Sequence, residues 1–334
     1  MILVTGGCGY VGSHFVAKLI ENNYEFLVID DLSNSSRNTI EKLISHYQVD
    51  IKFIEDDIRN EKTLKKIFEL NNIDTIAHFA GLKSVSESEK FPEDYYSVNI
   101  LGTEILLNTM DEYKISKFIF SSSATVYNKS HPLPWHEGLL NKIPENPYAR
   151  TKFIVEEMLD KKVKKNTDLR VAILRYFNPI GSHKSGIIGE NTYIKNGNLV
   201  PSILKVLSNK NEILNIYGND FNTSDGSGVR DYIHINDLID GHIKAMKYLD
   251  FNNGINIWNL GCGKGYSVYE VISKFEEIVG VKIPKKVISR RKGDLDKYWA
   301  DVTKAKKDLG WEAKETLESM VIDVINFFNK EKDN

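Results

Sequence analysis

The chain has 334 residues, of which 41% are hydrophobic and 27% charged, and its formal net charge is -2. This composition indicates a folded globular protein, and the near-neutral charge argues against a nucleic acid or a membrane surface as partner, because both favour basic patches. The two cysteines, Cys8 and Cys262, offer neither a disulfide framework nor a metal quartet, and no leader or membrane-spanning run is recognisable, so we expect a cytoplasmic protein without a metal.

The first half of the chain alternates short apolar runs with amphipathic stretches. The apolar runs predict strands at 2–4, 26–29, 51–54, 75–80, 117–123 and 171–177. Between most of these runs, apolar residues recur at helical spacing, as at Val11, Phe15 and Leu19. Strand–helix alternation predicts an α/β fold, namely a doubly wound parallel (Rossmann) sheet with helices on both faces. We place this first domain at residues 1–177.

The composition changes after Phe177. Residues 178–230 are rich in glycine, asparagine and serine with only short periodic pieces, which is typical of loops and small elements. A helix over 235–249 and a strand over 255–261 are predicted to follow. We therefore expect a smaller C-terminal domain over 178–334.

A glycine-rich segment, TGGCGYVG at 5–12, directly follows the first predicted strand and opens the first helix. Its glycines match two nucleotide-binding patterns, which begin at Gly7 or Gly6 and both continue through Gly9 and Gly12. Glycines allow a tight turn and a close approach to a pyrophosphate, which the helix N-terminus then faces. Asp30 ends the second strand about 20 residues on, where an acid binds the ribose hydroxyls of NAD and repels the extra phosphate of NADP.

A second motif follows the predicted strand at 117–123. Ser123 lies at the strand's carboxyl end, where ligands of such folds bind, and Tyr148 and Lys152 share one face of a helix that Pro147 can start. A tyrosine with the usual pKa of about 10 is a poor base at neutral pH. A nearby ammonium group and a positive nicotinamide ring would favour its phenolate, which suits proton transfer to and from a hydroxyl.

Together these motifs resemble the extended short-chain dehydrogenase/reductase superfamily and, within it, the UDP-glucose 4-epimerases. The similarity runs from residue 2 to about 312. It includes DIRN at 57–60, HFAGLKSV at 78–85, LRYFNPIG at 174–181, GVRDYIHINDL at 228–238, WNLGCGKGYSV at 258–268 and GDLDKYWAD at 293–301. So many blocks in the same order are highly specific to the family.

The resemblance implies an NAD-dependent enzyme that interconverts UDP-glucose and UDP-galactose by transient oxidation at the sugar C4. Tyr148 would be the base, Lys152 would hold the nicotinamide ribose and bias Tyr148, and Ser123 would bind the sugar hydroxyl. The first domain would bind NAD and the second the UDP-sugar. A homodimer through helices at 94–113 and 148–163 is also implied.

The resemblance further implies the binding residues. NAD would contact Gly6, Gly9, Tyr10, Val11, Gly12, Asp30, Asp31, Asn34, Ser35, Asp57, Ile58, Phe79, Ala80, Gly81, Lys83 and Phe177, besides the three catalytic residues. The UDP-sugar would contact Lys83, Phe177, Asn178, Asn198, Leu199, Tyr217, Arg230, Tyr232, Arg291, Asp294 and Tyr298, besides Ser123 and Tyr148. In the family, a bulky residue at the position of Tyr298 accompanies preference for sugars without a C2 acetamido group.

The sequence departs from the family pattern at several positions. Asn128 stands where glycine is common, and Asp31 stands where asparagine is frequent. Val98 occupies a position that often carries a cofactor-contacting asparagine, and the sequence leaves open whether Asn99 takes its place. Gly197 replaces an asparagine beside the UDP site. We expect none of these departures to remove a chemical step.

Three alternatives differ in function. A UDP-N-acetylglucosamine 4-epimerase would share the catalytic residues and differ in its sugar pocket. A sugar-nucleotide dehydratase or decarboxylase typically has an acid just after the strand-end serine or threonine, where this chain has Ala124 and Thr125. A non-catalytic NAD-binding regulator would be expected to lose the tyrosine or the lysine, and both are present.

Overall fold

The computed structural model describes residues 1–139, 143–190, 198–209, 211–291 and 293–333. The chain divides into two compact units. The first comprises Met1–Asn128, Leu140–Arg175 and Ile239–Trp258, and the second comprises Lys129–Leu139, Tyr176–Leu238 and Asn259–Asn334. The sequence predicted two contiguous domains divided at residue 177. The units are not contiguous, because residues 239–258 belong to the first unit.

The strands, in chain order, are β1 (Ile2–Thr5), β2 (Phe26–Asp30), β3 (Phe53–Glu55), β4 (Thr75–His78), β5 (Lys117–Ser123), β6 (Arg170–Tyr176), β7 (Asn178–Ile180), β8 (Leu214–Tyr217), β9 (Val229–Arg230), β10 (Tyr232–His234), β11 (Gly254–Leu260), β12 (Tyr266–Ser267), β13 (Lys285–Ile288) and β14 (Lys297–Tyr298). The largest sheet has the order β3-β2-β1-β4-β5-β6-β11. Its first six strands follow the order of a doubly wound nucleotide-binding fold, which confirms the predicted fold class.

The helices, in chain order, are α1 (Tyr10–Glu21), α2 (Arg37–Tyr47), α3 (Glu61–Leu70), α4 (Val85–Ser88), α5 (Pro92–Tyr95), α6 (Gly102–Glu112), α7 (Pro147–Lys165), α8 (Leu199–Ser208), α9 (Ile235–Tyr248), α10 (Val268–Val279), α11 (Thr303–Leu309) and α12 (Leu317–Asp333). A π-helical stretch, Tyr96–Leu101, joins α5 to α6, and a 3-10 turn, Ala124–Val126, follows β5. The helix predicted over 94–113 is therefore interrupted, since each π turn holds an extra residue.

The core of the first unit lies around its parallel sheet. β1 pairs in parallel with β2 and β4, and β4 pairs with β5. Leu3, Ile76 and Phe118 on three of these strands are fully buried, as are Leu106 on α6 and Leu159 on α7. Burial on both faces explains why these strands are continuous apolar runs in the sequence rather than alternating ones.

Helix α7 has clear start and stop signals. Asn146 caps it by accepting a hydrogen bond from the Ala149 amide, and Pro147 occupies the first turn. Three lysines in the last turn (Lys162, Lys164 and Lys165) complement the negative end of the helix dipole. These signals fix the position of the tyrosine–lysine motif within the first turns of the helix.

The second unit is built from small sheets and its own apolar core. β7 pairs with β10, β8 pairs with β13, and β9 lies between β12 and β14. Its core includes Leu204 on α8, Phe275 on α10 and Val321 on α12, all nearly or fully buried. The register of these short strands pairs Tyr298 with Arg230 and Tyr232 with Asn178.

Across the described ranges, no helix has both the length and the apolar character needed to cross a membrane. Within the same part of the chain, no three histidine, cysteine or acidic side chains come together as a metal site. Cys8 is buried and Cys262 is partly buried, and both are free thiols.

Candidate active site

The glycine loop connects β1 to α1 through a turn that only glycine can form. Gly6 has a φ of +72°, and a Cβ atom there would lie 2.5 Å from the Ala80 amide nitrogen. A Cβ atom at Gly12 would lie 2.1 Å from the Gly6 carbonyl oxygen. The loop therefore packs directly against the segment that follows β4, as a close-fitting phosphate loop requires.

The N-terminus of α1 suits an anionic ligand. Gly9 is the N-cap and supplies no side-chain cap, and the first turn contains no acidic residue. The positive end of the helix dipole and the first-turn amides are thus directed at the glycine loop. The Lys83 ammonium lies 5.5 Å from the Tyr10 ring centroid and adds positive charge beside this turn. The arrangement fits the diphosphate of NAD.

Asp30 joins the glycine loop to the segment after β2. One carboxylate oxygen accepts a hydrogen bond from the Cys8 amide at 2.9 Å. The other accepts from the Leu32 amide at 3.0 Å and from the Ser35 hydroxyl at 2.7 Å. Burial raises the pKa of Asp30, and these hydrogen bonds offset the rise only in part. Asp31 and Asn34, also predicted to contact NAD, are exposed on the same segment.

The segment after β3 carries two further predicted cofactor residues. Asp57 accepts hydrogen bonds from the Arg59 Nε atom at 3.0 and 2.9 Å. Burial alone would raise the pKa of Asp57, but the hydrogen bonds from Arg59 outweigh it and the pKa lies below its usual value. Ile58 is buried, and a Cβ atom at Gly102 would lie 2.9 Å from its side chain. Asp57 therefore presents a fixed carboxylate beside an apolar contact.

Asn99 holds the loop after β4, which contains Phe79, Ala80, Gly81 and Lys83. Its amide oxygen accepts from the Leu82 amide at 2.8 Å. Its amide nitrogen donates to the Leu82 carbonyl and to the Thr151 hydroxyl of α7, both at 3.0 Å. Val98 is half-buried, and Asn99 rather than Val98 supplies the polar side chain at this loop. Asn99 thus supports the loop through Leu82 and α7 through Thr151, and its replacement of the cofactor-contacting asparagine stays a prediction.

Ser123, Tyr148 and Lys152 meet at the carboxyl end of β5. The Ser123 hydroxyl lies near enough to the Tyr148 phenol to lower its pKa as a hydrogen-bonding neighbour. The Tyr148 amide donates to the Ser88 hydroxyl at 3.2 Å. The Lys152 ammonium donates to the Ser121 carbonyl at 2.9 Å and lies over the Phe120 ring. A strand-end hydroxyl, a phenol and an ammonium group are therefore collected on one face of α7.

The prediction for Tyr148 requires two positive groups, the Lys152 ammonium and a nicotinamide ring, and the protein alone supplies the first. Burial raises the pKa of Tyr148, and the hydrogen bond from Ser123 lowers it only in part. Burial lowers the pKa of Lys152 to about 8, against an opposing effect of Glu156. The Lys152 ammonium donates its hydrogen bond to the Ser121 carbonyl. Further positive charge beside Tyr148 is needed to favour its phenolate.

In the second unit, Arg230 and Tyr298 form the centre of a polar cluster. They are register partners on β9 and β14, and the Arg230 guanidinium lies 4.8 Å from the Tyr298 ring centroid. Asp294 lies 3.8 Å from the same guanidinium. A guanidinium of this kind is suited to a phosphate group.

The same cluster continues through β7 and β10. Asn178 and Tyr232 are register partners, and Asn178 accepts a hydrogen bond from the Tyr298 hydroxyl at 3.2 Å. Phe177 lies 6.2 Å from the Tyr298 ring, and Trp135 stacks on that ring at 5.1 Å with an interplanar angle of 6°. Sequence reasoning missed Trp135, because its segment shows no local signal of a binding residue.

The remaining predicted UDP residues lie elsewhere in this unit. The Arg291 guanidinium lies 3.8 Å from the Tyr217 ring centroid. Asn198 and Leu199 lie at the start of α8, and the described contacts do not join them to Tyr298. Gly197 lies outside the described residues, and Asn128 does not adopt the positive φ that its replacement of glycine would have allowed.

Asp231 is a second residue that sequence reasoning missed. Its carboxylate accepts hydrogen bonds from the amides of Cys262 at 2.7 Å, Gly263 at 3.1 Å and Ala300 at 3.0 Å. Burial raises its pKa to about 6 despite these bonds. The carboxylate ties the loop after β11 to the chain that follows Tyr298. Its position between Arg230 and Tyr232 was the only signal in the sequence.

Comparison with known proteins shows similarity over nearly the whole chain. A family model described as GDP-mannose 4,6 dehydratase matches residues 3–324. The UDP-glucose 4-epimerase of Dictyostelium discoideum is 46% identical over 323 residues, which cover 96% of this chain and 94% of the relative.

Solved structures agree with this similarity. A UDP-glucose 4-epimerase from Stenotrophomonas maltophila, with bound NAD and formylated UDP-arabinopyranose, has a TM-score of 0.96 and 37% identity, covering 99% of this chain and 98% of its own. A UDP-glucose 4-epimerase from Bifidobacterium longum, in complex with NAD+ and UDP, has a TM-score of 0.95 and 38% identity, covering 99% of both chains.

The hydrogen bonds of Asp30 generate a prediction about cofactor binding. In Asp30→Asn the amide NH2 group must face at least one of the donors that the carboxylate now accepts from. We expect NAD binding to weaken about 10- to 100-fold, as when a hydrogen bond to a charged group is lost. The NAD content of the purified protein after gel filtration measures the effect. Glu25→Gln, an exposed change just before β2, is the control, and equal NAD content in both variants would contradict the role of Asp30.

Proposed function

The chain belongs to the UDP-glucose 4-epimerase family of the extended short-chain dehydrogenase/reductase superfamily, and we propose that Tyr148 is the base of its reaction. The reaction is the NAD-dependent interconversion of UDP-glucose and UDP-galactose by transient oxidation at the sugar C4. The observation that carries the proposal is the contact of Tyr148 with Ser123 at the end of β5, with Lys152 one helical turn away.

The three side chains have separate tasks in this proposal. NAD, when bound, supplies reversible hydride transfer at C4. Tyr148 takes the proton of the sugar 4-hydroxyl and returns it, and Ser123 holds that hydroxyl by a hydrogen bond. Lys152, with a pKa of about 8, is mostly protonated at neutral pH and contributes positive charge to the site. The half-buried position of Tyr148 limits competition from water.

The cofactor and nucleotide assignments are supported by the two units separately. In the first unit, the glycine loop, the start of α1 and Asp30 fit the diphosphate and ribose of NAD. In the second unit, Arg230, held over Tyr298 and near Asp294, fits a phosphate of UDP. We propose Asn178, Tyr232 and the other predicted residues as the remaining UDP-sugar contacts.

The dehydratase alternative is disfavoured by the turn after β5. Ala124 and Thr125 begin the 3-10 turn at the position where such enzymes carry an acid. The Thr125 amide and hydroxyl both donate to the Ser123 hydroxyl, at 3.2 and 3.0 Å. No carboxylate is supplied by this turn, so elimination would lack its acid. The regulator alternative is disfavoured because Tyr148 and Lys152 are both present and in place.

Tyr148→Phe tests the base. The change keeps the ring but removes the proton acceptor, so turnover should fall about 10²- to 10⁴-fold. Conversion of UDP-galactose to UDP-glucose without added NAD measures it. Tyr113→Phe, which removes a hydroxyl bonded to Glu69 on the surface, is the matched control. Near-normal turnover of Tyr148→Phe with NAD still bound would refute the assignment.

We also propose a homodimer through the helices at 94–113 and 148–163. Leu101, at the end of the π-helical stretch, is 47% exposed, whereas Leu106 and Leu159 are fully buried within the first unit. Ile105, Phe153, Ile154 and Met158 are half-buried on the same two segments. A partly exposed apolar stripe on two neighbouring helices suits a four-helix contact between two copies.

The dimer predicts a light-scattering mass of about twice the 38.2 kDa of one chain. Leu101→Arg places a charge in the proposed contact and should shift the protein toward the mass of one chain. Leu70→Arg, at another exposed leucine at the end of α3, is the control and should leave the mass unchanged. A single-chain mass for the unmodified protein at micromolar concentration would contradict the proposal.

The preferred sugar is proposed from the surroundings of Tyr298. The ring is stacked on Trp135, contacted by Arg230 and hydrogen-bonded to Asn178, so it forms a fixed wall. An acetamido group on C2 needs volume that such a wall does not yield. We therefore propose that UDP-glucose and UDP-galactose are the main substrates and that N-acetylated sugars are poor ones. A cytosolic location remains a prediction from the composition.

Tyr298→Cys tests this wall. Removing the ring should raise kcat/KM for UDP-N-acetylglucosamine by about 10-fold or more, because a change of even one methylene in a pocket is worth about 1–3 kcal/mol. Tyr269→Cys, on α10, is the control for introducing a cysteine in the same unit. Comparable kcat/KM for UDP-galactose and UDP-N-acetylgalactosamine in the unmodified protein would show that Tyr298 does not select the sugar.

A further inference from the structure

A buried ion pair lies beside the catalytic residues of α7. Glu156 follows Lys152 by one helical turn and Tyr148 by two. Its carboxylate accepts two hydrogen bonds from the Arg175 guanidinium, at 3.0 Å from Nε and 2.6 Å from Nη2. Glu156 is 8% exposed and Arg175 4% exposed. The pair is therefore almost fully removed from water.

The pair joins four pieces of the first unit. The Ser122 hydroxyl of β5 donates to the Glu156 carboxylate at 2.5 Å. Arg175 lies near the end of β6, and its guanidinium is 4.8 Å from the ring centroid of Tyr127, which follows the 3-10 turn. α7, β5, β6 and the turn after β5 thus share one charged contact.

Three consecutive serines of β5 each bind one turn of α7. Ser123 contacts Tyr148, the carbonyl of Ser121 accepts from Lys152, and Ser122 donates to Glu156. The partners on α7 follow one another at intervals of four residues, which places them on one side of the helix. Glu156 is the last of the three and the only one held by an ion pair.

Stability alone does not explain this ion pair. Removing two charges from water is costly, and apolar residues of similar size are often as stable or more stable. What an apolar pair cannot supply is a directional link to Ser122 and a fixed negative charge one turn from Lys152. Both features act on the residues that carry out proton transfer.

We propose that Glu156 is a positioning residue of the epimerisation, which with Arg175 and Ser122 sets the placement of Tyr148 and Lys152 against the end of β5 and places a negative charge one helical turn from Lys152. The inference rests on the proposed function. Among the described residues, Lys152 has Tyr148 and Glu156 on its own helix, His78 on β4 and, as the partner of Glu156, Arg175 on β6 as charged and titratable neighbours. Burial lowers the pKa of His78 to about 3, so His78 is neutral and Glu156 supplies the negative charge.

Glu156→Gln is the first test. The variant loses the negative charge but keeps the shape, so Lys152 should lose its proton at lower pH. We expect kcat to fall about 10- to 100-fold, as for a small misplacement of catalytic groups, with KM for UDP-galactose unchanged. The alkaline limb of the kcat–pH profile should move to lower pH. A fall in kcat and in Tm with that limb unmoved would show a merely structural role and would overturn the proposal.

A double variant covers the case in which the unpaired Arg175 prevents folding. Glu156→Leu with Arg175→Met removes both charges and leaves neither buried alone. We expect a folded, NAD-containing protein with kcat lowered about 10-fold or more and KM unchanged. Ser122→Ala, which keeps the ion pair, should lower kcat by a smaller factor. Unchanged kcat in both the double variant and Ser122→Ala would overturn the proposal.

Asp160→Asn is the matched control on the same helix. Asp160 pairs with Lys164 at the surface, so its loss removes an ion pair of α7 that does not contact β5. Its kcat and pH profile should equal those of the unmodified protein. If the unmodified protein turns over and the variants of Glu156, Arg175 and Ser122 have the same kcat, only the role of Glu156 is refuted. If no form of the protein turns over, the proposed function is refuted, and this inference with it.

Discussion

The packing of α7 on the carboxyl end of β5 is the contact on which the proposed chemistry depends. Proton transfer requires a hydroxyl, a phenol and an ammonium group at fixed separations, and each of them is fixed by its place on one of these two elements. The Asn146 cap and Pro147 set where α7 begins, and the three serines of β5 set how the helix lies on the strand. A shift of one element relative to the other would separate the Ser123 hydroxyl from the Tyr148 phenol and the Lys152 ammonium.

Cofactor binding depends on a second constraint, which is the closeness of backbone to backbone at the glycine loop. A side chain at Gly6 or Gly12 would overlap neighbouring main chain, so the loop can approach a diphosphate only because these positions lack a Cβ atom. Asp30 then holds the loop by accepting the Cys8 amide. Asn99 holds the facing loop and also contacts Thr151 of α7, so the cofactor segments and the catalytic helix share one network.

The second unit places its binding residues on short strands around an apolar core of its own. Its strands are only two to four residues long, and a buried carboxylate replaces the support that a large sheet would give. The Asp231 carboxylate accepts hydrogen bonds from three backbone amides. It thereby fixes both the loop after β11 and the chain after β14. This support holds Arg230 and Tyr298 side by side as register partners on β9 and β14. The contacts with Trp135 and Asn178 restrict the orientation of the Tyr298 ring.

The sequence by itself determined the glycine loop and the tyrosine–lysine spacing, because each depends on residues that are near one another in the chain. It also predicted the doubly wound sheet, because strands and helices alternate along the chain. The strand at 117–123 is observed as predicted, and the helix carrying Tyr148 begins at the predicted proline. Tertiary structure alone decided the return of residues 239–258 to the first unit and the π-helical break that directs Asn99. It also decided that Tyr148 has a raised pKa, and it joined Glu156 to Arg175, since burial and pairing across 19 residues depend on which strands become neighbours in the sheet.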